Sequence, residues 1–239
     1  MINESSLLYW WPRIQHLKIS MPRTEILPVS REPFLKAIDP PHTAAEKYYQ
    51  AIKETARKIG YPLFLRTDLV SGKHDWKNSC YVEREEDLIS HVFSVIEFNE
   101  TADILGLDWK ALVFREFIEL DWKFKAFWGE MPVARARRYF IKDGQVLCHH
   151  SYWIEDAIAQ SGFKPKEPDW RDLLKQLNFQ TKKEVKLLSE YATEVASVLS
   201  GFLSVDFAHA KDGRWILIDI ALGKESWHPE RCPKRKRGF

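Results

Sequence analysis

Two aspartates near the C-terminus stand where a carboxylate is costly. Asp206 lies in a Val-Asp-Phe sequence and Asp219 in an Ile-Asp-Ile sequence. An ionised carboxylate in an apolar strand is unfavourable unless it pairs with a cation or binds a metal. Neighbouring strands would bring both side chains to one face, where oxygen ligands suit Mg²⁺ held together with substrate phosphates. We therefore predict a metal site at Asp206 and Asp219; the alternatives are pairing with lysine or arginine, or one carboxylate in solvent.

A basic group and a glycine-containing loop follow one another earlier in the chain. Arg66 ends an apolar run, and Ser71, Gly72 and Lys73 come soon after it. Glycine lets the backbone approach an anion closely, and lysine neutralises the charge. The spacing is not that of a Walker loop and is also typical of a plain turn.

The apolar run 112–118 ends in Glu116, Phe117 and Ile118 and is followed by Asp121. Backbone groups at the end of such a strand can pair with the edge of an adenine ring. An acidic residue shortly afterwards can accept hydrogen bonds from ribose hydroxyls. An ordinary core strand explains the same pattern.

Three arginines occur together at Arg135, Arg137 and Arg138. Strand alternation predicts that Arg135 and Arg137 share one face and that Arg138 lies on the other. Two guanidiniums on one face repel unless an anion lies between them, and arginine binds phosphate and carboxylate bidentately. The pattern indicates an anion ligand at Arg135 and Arg137, with a solvated charged face as the alternative.

The cysteines and one histidine pair are assigned packing roles. Cys80, Cys148 and Cys232 are an odd number without a CxxC pair, so neither disulfides nor a zinc knuckle are expected, and a reducing cytoplasm is favoured. His149 and His150 are adjacent on a predicted strand, so their rings point to opposite faces and cannot both ligate one metal. Cys148 is predicted to pack as a small hydrophobe.

Composition indicates a folded protein with balanced charge. The 239 residues are 45% hydrophobic and 13% aromatic, and 36 basic residues face 34 acidic ones. This excludes extensive disorder and gives no overall field for nucleic acid. No apolar run approaches the ~20 residues that span a bilayer, so no membrane partner is expected.

The elements that must position these residues alternate loosely. Capping boxes at Thr43–Glu46 and Thr181–Glu184 predict two helices, which end near Gly60 and Gly201. Residues 123–151 read as an antiparallel meander, 202–220 as a hairpin, and the proline-containing segment 1–42 as extended. Hairpin connections between the later strands favour an α+β fold with mostly antiparallel sheets.

The order of these parts over about residues 60–228 resembles the ATP-grasp superfamily. It looks like the small, arginine-rich ATP-grasp proteins of phage and bacterial genomes, and is more distantly similar to eukaryotic ATP-grasp assembly factors of translation initiation. The resemblance implies two α+β lobes with ATP held between them. The expected division is an extended segment (1–42), a lobe with the phosphate loop (43–115), a lobe with the hinge and metal hairpin (116–232) and a basic tail (233–239).

The resemblance also implies roles for individual residues. Arg66 stands where the family usually has lysine, and the loop that covers the nucleotide corresponds to Ser71, Gly72 and Lys73. The adenine-reading hinge corresponds to Glu116, Phe117 and Ile118, with Asp121 as the ribose partner. The metal carboxylates correspond to Asp206 and Asp219. Most ATP-grasp ligases have an asparagine two residues after the second acid, where this chain has Ala221 followed by the Gly223-x-x-Ser226 pattern.

The activity implied by this resemblance is that of an ATP-dependent carboxylate–amine (or thiol) ligase with ATP and Mg²⁺ as cofactors. An acyl phosphate would form, a C–N bond would follow, and ADP and phosphate would leave. Arg66 and Lys73 would neutralise the transferring group, while Arg135 and Arg137 would hold the acyl phosphate or the acceptor carboxylate. Small-molecule or peptide carboxylates and amines are the expected partners. The alternatives are an ATP-binding assembly or regulatory module with a protein partner and little turnover, and an aromatic-rich binding protein without nucleotide.

Overall fold

The computed structural model describes residues 3–38, 43–103 and 108–235. Residues 39–42 of the N-terminal segment, the Thr43 side chain of the first predicted capping box and residues 236–239 of the predicted tail lie outside the described residues. The helices are α1 (Leu7–Ile14), α2 (Arg31–Ile38), α3 (Thr43–Ile59), α4 (Leu88–Asp103), α5 (Glu155–Ala159), α6 (Trp170–Asn178) and α7 (Lys182–Val198). The strands are β1 (Thr24–Pro28), β2 (Leu63–Thr67), β3 (Tyr81–Val82), β4 (Ala111–Glu116), β5 (Trp122–Ala126), β6 (Met131–Ala134), β7 (Ala136–Lys142), β8 (Gln145–Ser151), β9 (Phe202–His209) and β10 (Trp215–Leu222).

The chain divides into two compact units. The N-terminal unit comprises Pro22–Ile118 and Phe127–Met131, and the C-terminal unit comprises Met1–Met21, Glu119–Ala126 and Pro132–Phe239. Every strand pair with a defined register is antiparallel, which confirms the predicted α+β class. No helix in the described ranges combines the length and apolar character needed to cross a membrane.

The N-terminal unit is built on a four-stranded sheet in the order β1-β4-β2-β3. Helix α3 lays Ile52 and Ala56 into the core beside Leu65 and Phe114 of the sheet. The predicted end of this helix is confirmed, because Gly60 has a φ of 86° and its N–H donates to the carbonyl of Ala56 over 3.0 Å. A left-handed residue with no Cβ ends a helix at little cost.

The N-terminal segment differs from the extended segment that the sequence predicted. It holds two helices, α1 and α2, and one strand, β1, which pairs with β4. Leu7, Trp10 and Ile14 bury one face of α1, whose first turn is capped by the Ser6 side chain. Pro33 lies in the first turn of α2, where its missing N–H would have had no helical partner anyway.

The C-terminal unit contains the four-stranded sheet β10-β9-β7-β8. The predicted meander is therefore divided, since β5 and β6 form a separate two-stranded sheet while β7 and β8 join the larger one. Direct cross-strand partners lie on the same face of a sheet. Asp219 is opposite Asp206, Asp206 is opposite Arg138, and Arg138 is opposite His150, so these four residues form a row across one face.

Candidate functional site

The aspartate pair lies on one face of the C-terminal sheet, as the sequence predicted. Asp206 and Asp219 are direct partners across β9 and β10, next to a register irregularity between Leu217 and Asp219. Asp206 is buried, with 4% of its surface exposed, whereas Asp219 is half-buried. Two carboxylates in such close register need positive charge beside them.

Arg138 supplies that positive charge within the described part of the unit. Its Nε and Nη2 atoms donate to Oδ1 and Oδ2 of Asp206, each over 2.8 Å. Burial disfavours the charged form of Arg138, but attraction to Asp206, the hydrogen bond to it and the charge of Asp219 outweigh burial and raise the pKa of Arg138. For Asp206 the alternative of an arginine partner is therefore what the structure contains.

The two carboxylates still fit a divalent cation of the magnesium type. Each oxygen of Asp206 accepts one bond from Arg138, and a carboxylate oxygen offers a second lone pair. Hard cations prefer such oxygen ligands and are commonly held by one or two carboxylates together with substrate phosphates. Asp206 and Asp219 are the residues of this face that would hold Mg²⁺.

The segment after β10 explains how Ala221 is accommodated. Ala221 is the cross-strand partner of Ser204, whose hydroxyl lies 2.6 Å from the hydroxyl of Ser226. Gly223 donates its N–H to the carbonyl of Phe202 over 2.8 Å, and a Cβ at Gly223 would lie 2.7 Å from the ring of Phe202. The Gly-x-x-Ser pattern thus fastens the end of β10 to β9.

Arg135 and Arg137 are placed differently from the expectation that they bind a substrate anion. The predicted anion between them is an internal carboxylate, because Arg137 Nε donates to Glu184 Oε1 over 2.5 Å and Arg135 Nη1 lies 3.9 Å from Glu184 Oε2. Arg137 is 1% exposed. Its other contacts are donations to backbone carbonyls, those of Ala136, Leu177 and Phe179. Burial lowers the pKa of Arg137, against the opposing charge of Glu184.

The same carboxylate changes the second capping box. Thr181 caps α7 as predicted, since its hydroxyl accepts the N–H of Glu184 over 3.1 Å. The Glu184 side chain, which would return to the cap residue in a full capping box, bonds Arg137 instead. A buried guanidinium draws the carboxylate more strongly than a partly solvated backbone N–H does.

In the N-terminal unit, Arg66 lies at the base of the predicted phosphate loop. It is 3% exposed, and its guanidinium donates to the carbonyls of Thr67 over 3.0 Å and Leu69 over 3.1 Å. These bonds hold the backbone that leads from β2 into the loop. Lys73 begins a short 3₁₀ turn, Lys73–Asp75, directly after Gly72, whose φ is 61°.

The loop is fixed by contacts inside the same unit. The Ser79 hydroxyl donates to the carbonyls of Gly72 over 2.8 Å and Asp75 over 2.7 Å. The ring of His74 stacks on Phe127 with centroids 4.5 Å apart, and the N–H of Gly129 donates to the carbonyl of His74 over 2.9 Å. The turn after β5 therefore supports the predicted phosphate loop.

Replacing Gly129 with alanine is expected to disturb this support. The added Cβ would lie 1.9 Å from the backbone nitrogen of Trp76 and 2.4 Å from the carbonyl carbon of Asp75, so the backbone must shift. We expect a loss of about 1–3 kcal/mol in the free energy of unfolding, measured by urea denaturation. Gly144→Ala is the control, since Gly144 also lies in a turn but has open space around it. An equal or smaller loss for Gly129→Ala than for Gly144→Ala would contradict this packing argument.

The predicted hinge follows the end of β4. This strand ends at Glu116, two residues earlier than predicted, and the N–H of Glu116 donates to the carbonyl of Arg23 over 2.9 Å. Within the described ranges, no backbone hydrogen bond involves Phe117 or Ile118. The ring of Phe117 lies 4.9 Å from Tyr81 between centroids, so an aromatic surface adjoins these backbone groups. Their donors and acceptors remain available to a ligand.

Asp121 belongs to the C-terminal unit and has basic neighbours. Its Oδ1 atom lies 2.8 Å from Lys123 Nζ, and its Oδ2 atom lies 3.8 Å from His209 Nδ1. The hydrogen bond from Lys123 lowers the pKa of Asp121 below its usual value, which keeps the carboxylate ionised. An ionised carboxylate is the form that accepts hydrogen bonds from sugar hydroxyls.

Sequence reasoning missed two features of this face. Arg138 was separated correctly from its two neighbours by strand alternation, but nothing in the sequence gave the register that joins it to Asp206. The second feature is a cluster of Cys148, His150, His228 and Cys232 at the β8 edge of the sheet. Its members are two short pairs far apart in the chain, so spacing alone gave no signal.

Solved structures share this fold at low sequence identity. Truncated Cdc123 from Schizosaccharomyces pombe matches with a TM-score of 0.59 and 12% identity, over 93% of this chain and 86% of that one. VanG D-Ala:D-Ser ligase from Enterococcus faecalis matches with a TM-score of 0.50 and 13% identity, over 94% of this chain and 55% of the ligase. A RimK domain ATP-grasp protein from Sphaerobacter thermophilus DSM 20745 matches at 0.46 and 12% identity, over 92% of this chain and 58% of that one.

The chain thus spans little more than half the length of that ligase and of that RimK domain protein. No curated protein matches it significantly in sequence. A family model for an ATP-grasp domain, family 3 of its clade, matches residues 41–237. This match includes both four-stranded sheets apart from β1, the predicted loop and the acidic hairpin. The chain therefore belongs to this family of ATP-grasp domains.

Proposed function

We propose that this protein binds ATP with Mg²⁺ and acts as an ATP-dependent ligase that joins a carboxylate to an amine or thiol. The observation that carries the proposal is the direct cross-strand pairing of Asp206 and Asp219 on one sheet face. A buried pair of carboxylates that shares one arginine is unusual in a purely structural sheet and suits cation binding. Membership of the ATP-grasp family supports the same reading.

Each group in the proposed site has a limited task. Asp206 and Asp219 would hold Mg²⁺, which supplies charge neutralisation for the phosphates when bound. Arg138 fixes the orientation of Asp206 through its two hydrogen bonds. This assigns positioning to Arg138 and leaves both carboxylates pointing to one side of the sheet.

The N-terminal unit supplies the groups proposed for the nucleotide. The unbonded backbone groups of Phe117 and Ile118 suit the donor and acceptor edge of adenine. Lys73 and the backbone beside Gly72 suit the phosphates, and Arg66 holds the start of that loop through two carbonyls. Asp121 is the proposed ribose partner, and its low pKa keeps it an acceptor.

The roles first expected for Arg135 and Arg137 are not part of this proposal. Arg137 is buried and bonded to Glu184 and three carbonyls. Both arginines lie toward Glu184, whereas Asp206 lies beside Arg138, and neighbouring residues of a strand face opposite sides. They therefore cannot meet a phosphate that is bound at the aspartates.

A second function is favoured by one specific observation. Arg138 engages both oxygens of Asp206, and Ala221 stands where most ligases of the family have an asparagine, so the metal site has fewer oxygen ligands. Such a site suits an ATP-binding assembly or regulatory module, in which nucleotide binding supports a protein partner and turnover is low.

Turnover separates the two functions. We expect ADP release from MgATP to require an added carboxylate and amine, tested with a panel of amino acids and short peptides and followed by a coupled ADP assay. Thermal melting in the same buffers serves as the binding control, because ligand at 100 times its Kd adds about 2.7 kcal/mol of stability. A melting shift without acceptor-dependent ADP release across the panel would favour the module.

A further inference from the structure

Four potential metal ligands converge in the C-terminal unit. Cys148, His150, His228 and Cys232 each place one ligand atom so that all four atoms lie within 4.8 Å of one another. Cys232 is buried, and the other three side chains are half-buried. Two thiols and two imidazoles are the ligand set of tetrahedral structural zinc sites.

Two of the ligands come from the edge strand β8. Cys148 and His150 are two residues apart, so both side chains lie on the same face. They are the cross-strand partners of Phe140 and Arg138, which places them on the face that carries Asp206. His149 is the intervening residue, and its ring stacks on Tyr139 on the opposite face.

The other two ligands come from the segment that follows β10. His228 and Cys232 are four residues apart, and a turn between them is closed by the N–H of Cys232, which donates to the carbonyl of Pro229 over 3.0 Å. The ring of His228 stacks on Phe140 with centroids 4.0 Å apart, which fixes its position over the sheet. The cluster therefore spans two segments that are held in place independently.

The ligand atoms lack partners that would explain their convergence. His150 Nε2 is buried and has no hydrogen-bond partner among the described residues. Cys148 Sγ lies 3.3 Å from His228 Nε2, a contact between two groups that share metals readily. A buried unpaired nitrogen costs stability unless something binds it.

We propose that these four residues bind one Zn²⁺ ion, which ties the segment after β10 to β8. Zinc–sulfur bonds of about 2.3 Å and zinc–nitrogen bonds of about 2.0 Å place tetrahedral ligands roughly 3.3–3.8 Å apart. The largest separation here is 4.8 Å, so closure requires only small side-chain movements. Four protein ligands leave no open position, which makes the site structural and separate from the proposed magnesium site.

Metal content tests the proposal directly. The full chain is expressed with zinc in the medium, purified under reducing conditions and measured by elemental mass spectrometry. We expect about one zinc per chain. We expect the zinc content to fall by roughly tenfold or more in Cys148→Ser and in Cys232→Ser, because even loss of an outer-shell partner weakens zinc sites by about 10–100-fold. The matched control is His149→Gln, which changes the neighbouring histidine on the other face and should keep its zinc.

Three results would overturn the proposal: a zinc-free wild-type chain after reconstitution, full zinc retention in both cysteine variants, or a Cys148–Cys232 disulfide in chain kept reduced. If a variant fails to fold, Co²⁺ reconstitution of the wild-type chain decides. A tetrahedral visible spectrum with thiolate charge transfer supports the site, and its absence contradicts it.

Discussion

Replacing Glu184 with alanine is expected to lower the free energy of unfolding by about 3–5 kcal/mol, the usual cost of breaking a buried ion pair from one side. Arg137 is 1% exposed and would lose the acceptor of its Nε–H bond. Arg135, whose Nη1 lies 3.9 Å from the same carboxylate, would then face Arg137 with no anion between them. Urea denaturation followed by tryptophan fluorescence measures the loss.

Two further variants distinguish the ion pair from a general effect on α7. Glu184→Gln keeps an acceptor for Arg137 and is expected to lose less stability than Glu184→Ala. Glu190→Ala alters an exposed residue of the same helix, and we expect a change within about 0.5 kcal/mol. If Glu184→Ala behaves like Glu190→Ala, the buried pair does not stabilise the unit.

Replacing Asp219 with asparagine is expected to remove the magnesium-dependent part of ATP binding and to weaken MgATP affinity by at least about tenfold. Asparagine keeps the shape of the side chain but removes the negative charge that a hard cation requires. The fold should be retained, because Asp219 is half-buried and Arg138 keeps its bidentate bond to Asp206. Isothermal titration calorimetry with and without magnesium measures both terms.

Asp212→Asn is the control on the same hairpin. Asp212 is exposed at the turn between β9 and β10 and pairs with Arg214, so its replacement should leave MgATP affinity unchanged. Asp206→Asn is less informative, because it also removes the partner of a largely buried arginine. Equal MgATP affinity in Asp219→Asn and Asp212→Asn would refute the metal role of Asp219.

The acidic hairpin was predictable because its signals are local. Turn residues at 211–213 and two flanking apolar runs predict antiparallel strands, and these place Asp206 and Asp219 on adjacent strands. The helix α7 was predictable for the same reason, from a cap at Thr181 and a periodic apolar face. Each of these features depends on residues that are close in sequence.

The remaining features depend on register and on long-range pairing. Alternation separated Arg138 from Arg135 and Arg137, but only the pairing of β7 with β9 shows that Arg138 meets Asp206. The anion predicted between Arg135 and Arg137 proved to be Glu184, which is 47 residues from Arg137. The Cys/His cluster likewise needs Cys148 beside His228, 80 residues away.

The most direct test of the central claim is a calorimetric titration of the wild-type chain with ATP, in magnesium and in excess chelator. The account predicts saturable binding of one ATP per chain in magnesium, with much weaker binding once the metal is removed. Absence of binding in magnesium, or equal affinity with and without the metal, would contradict the proposal that Asp206 and Asp219 hold a cation for the nucleotide.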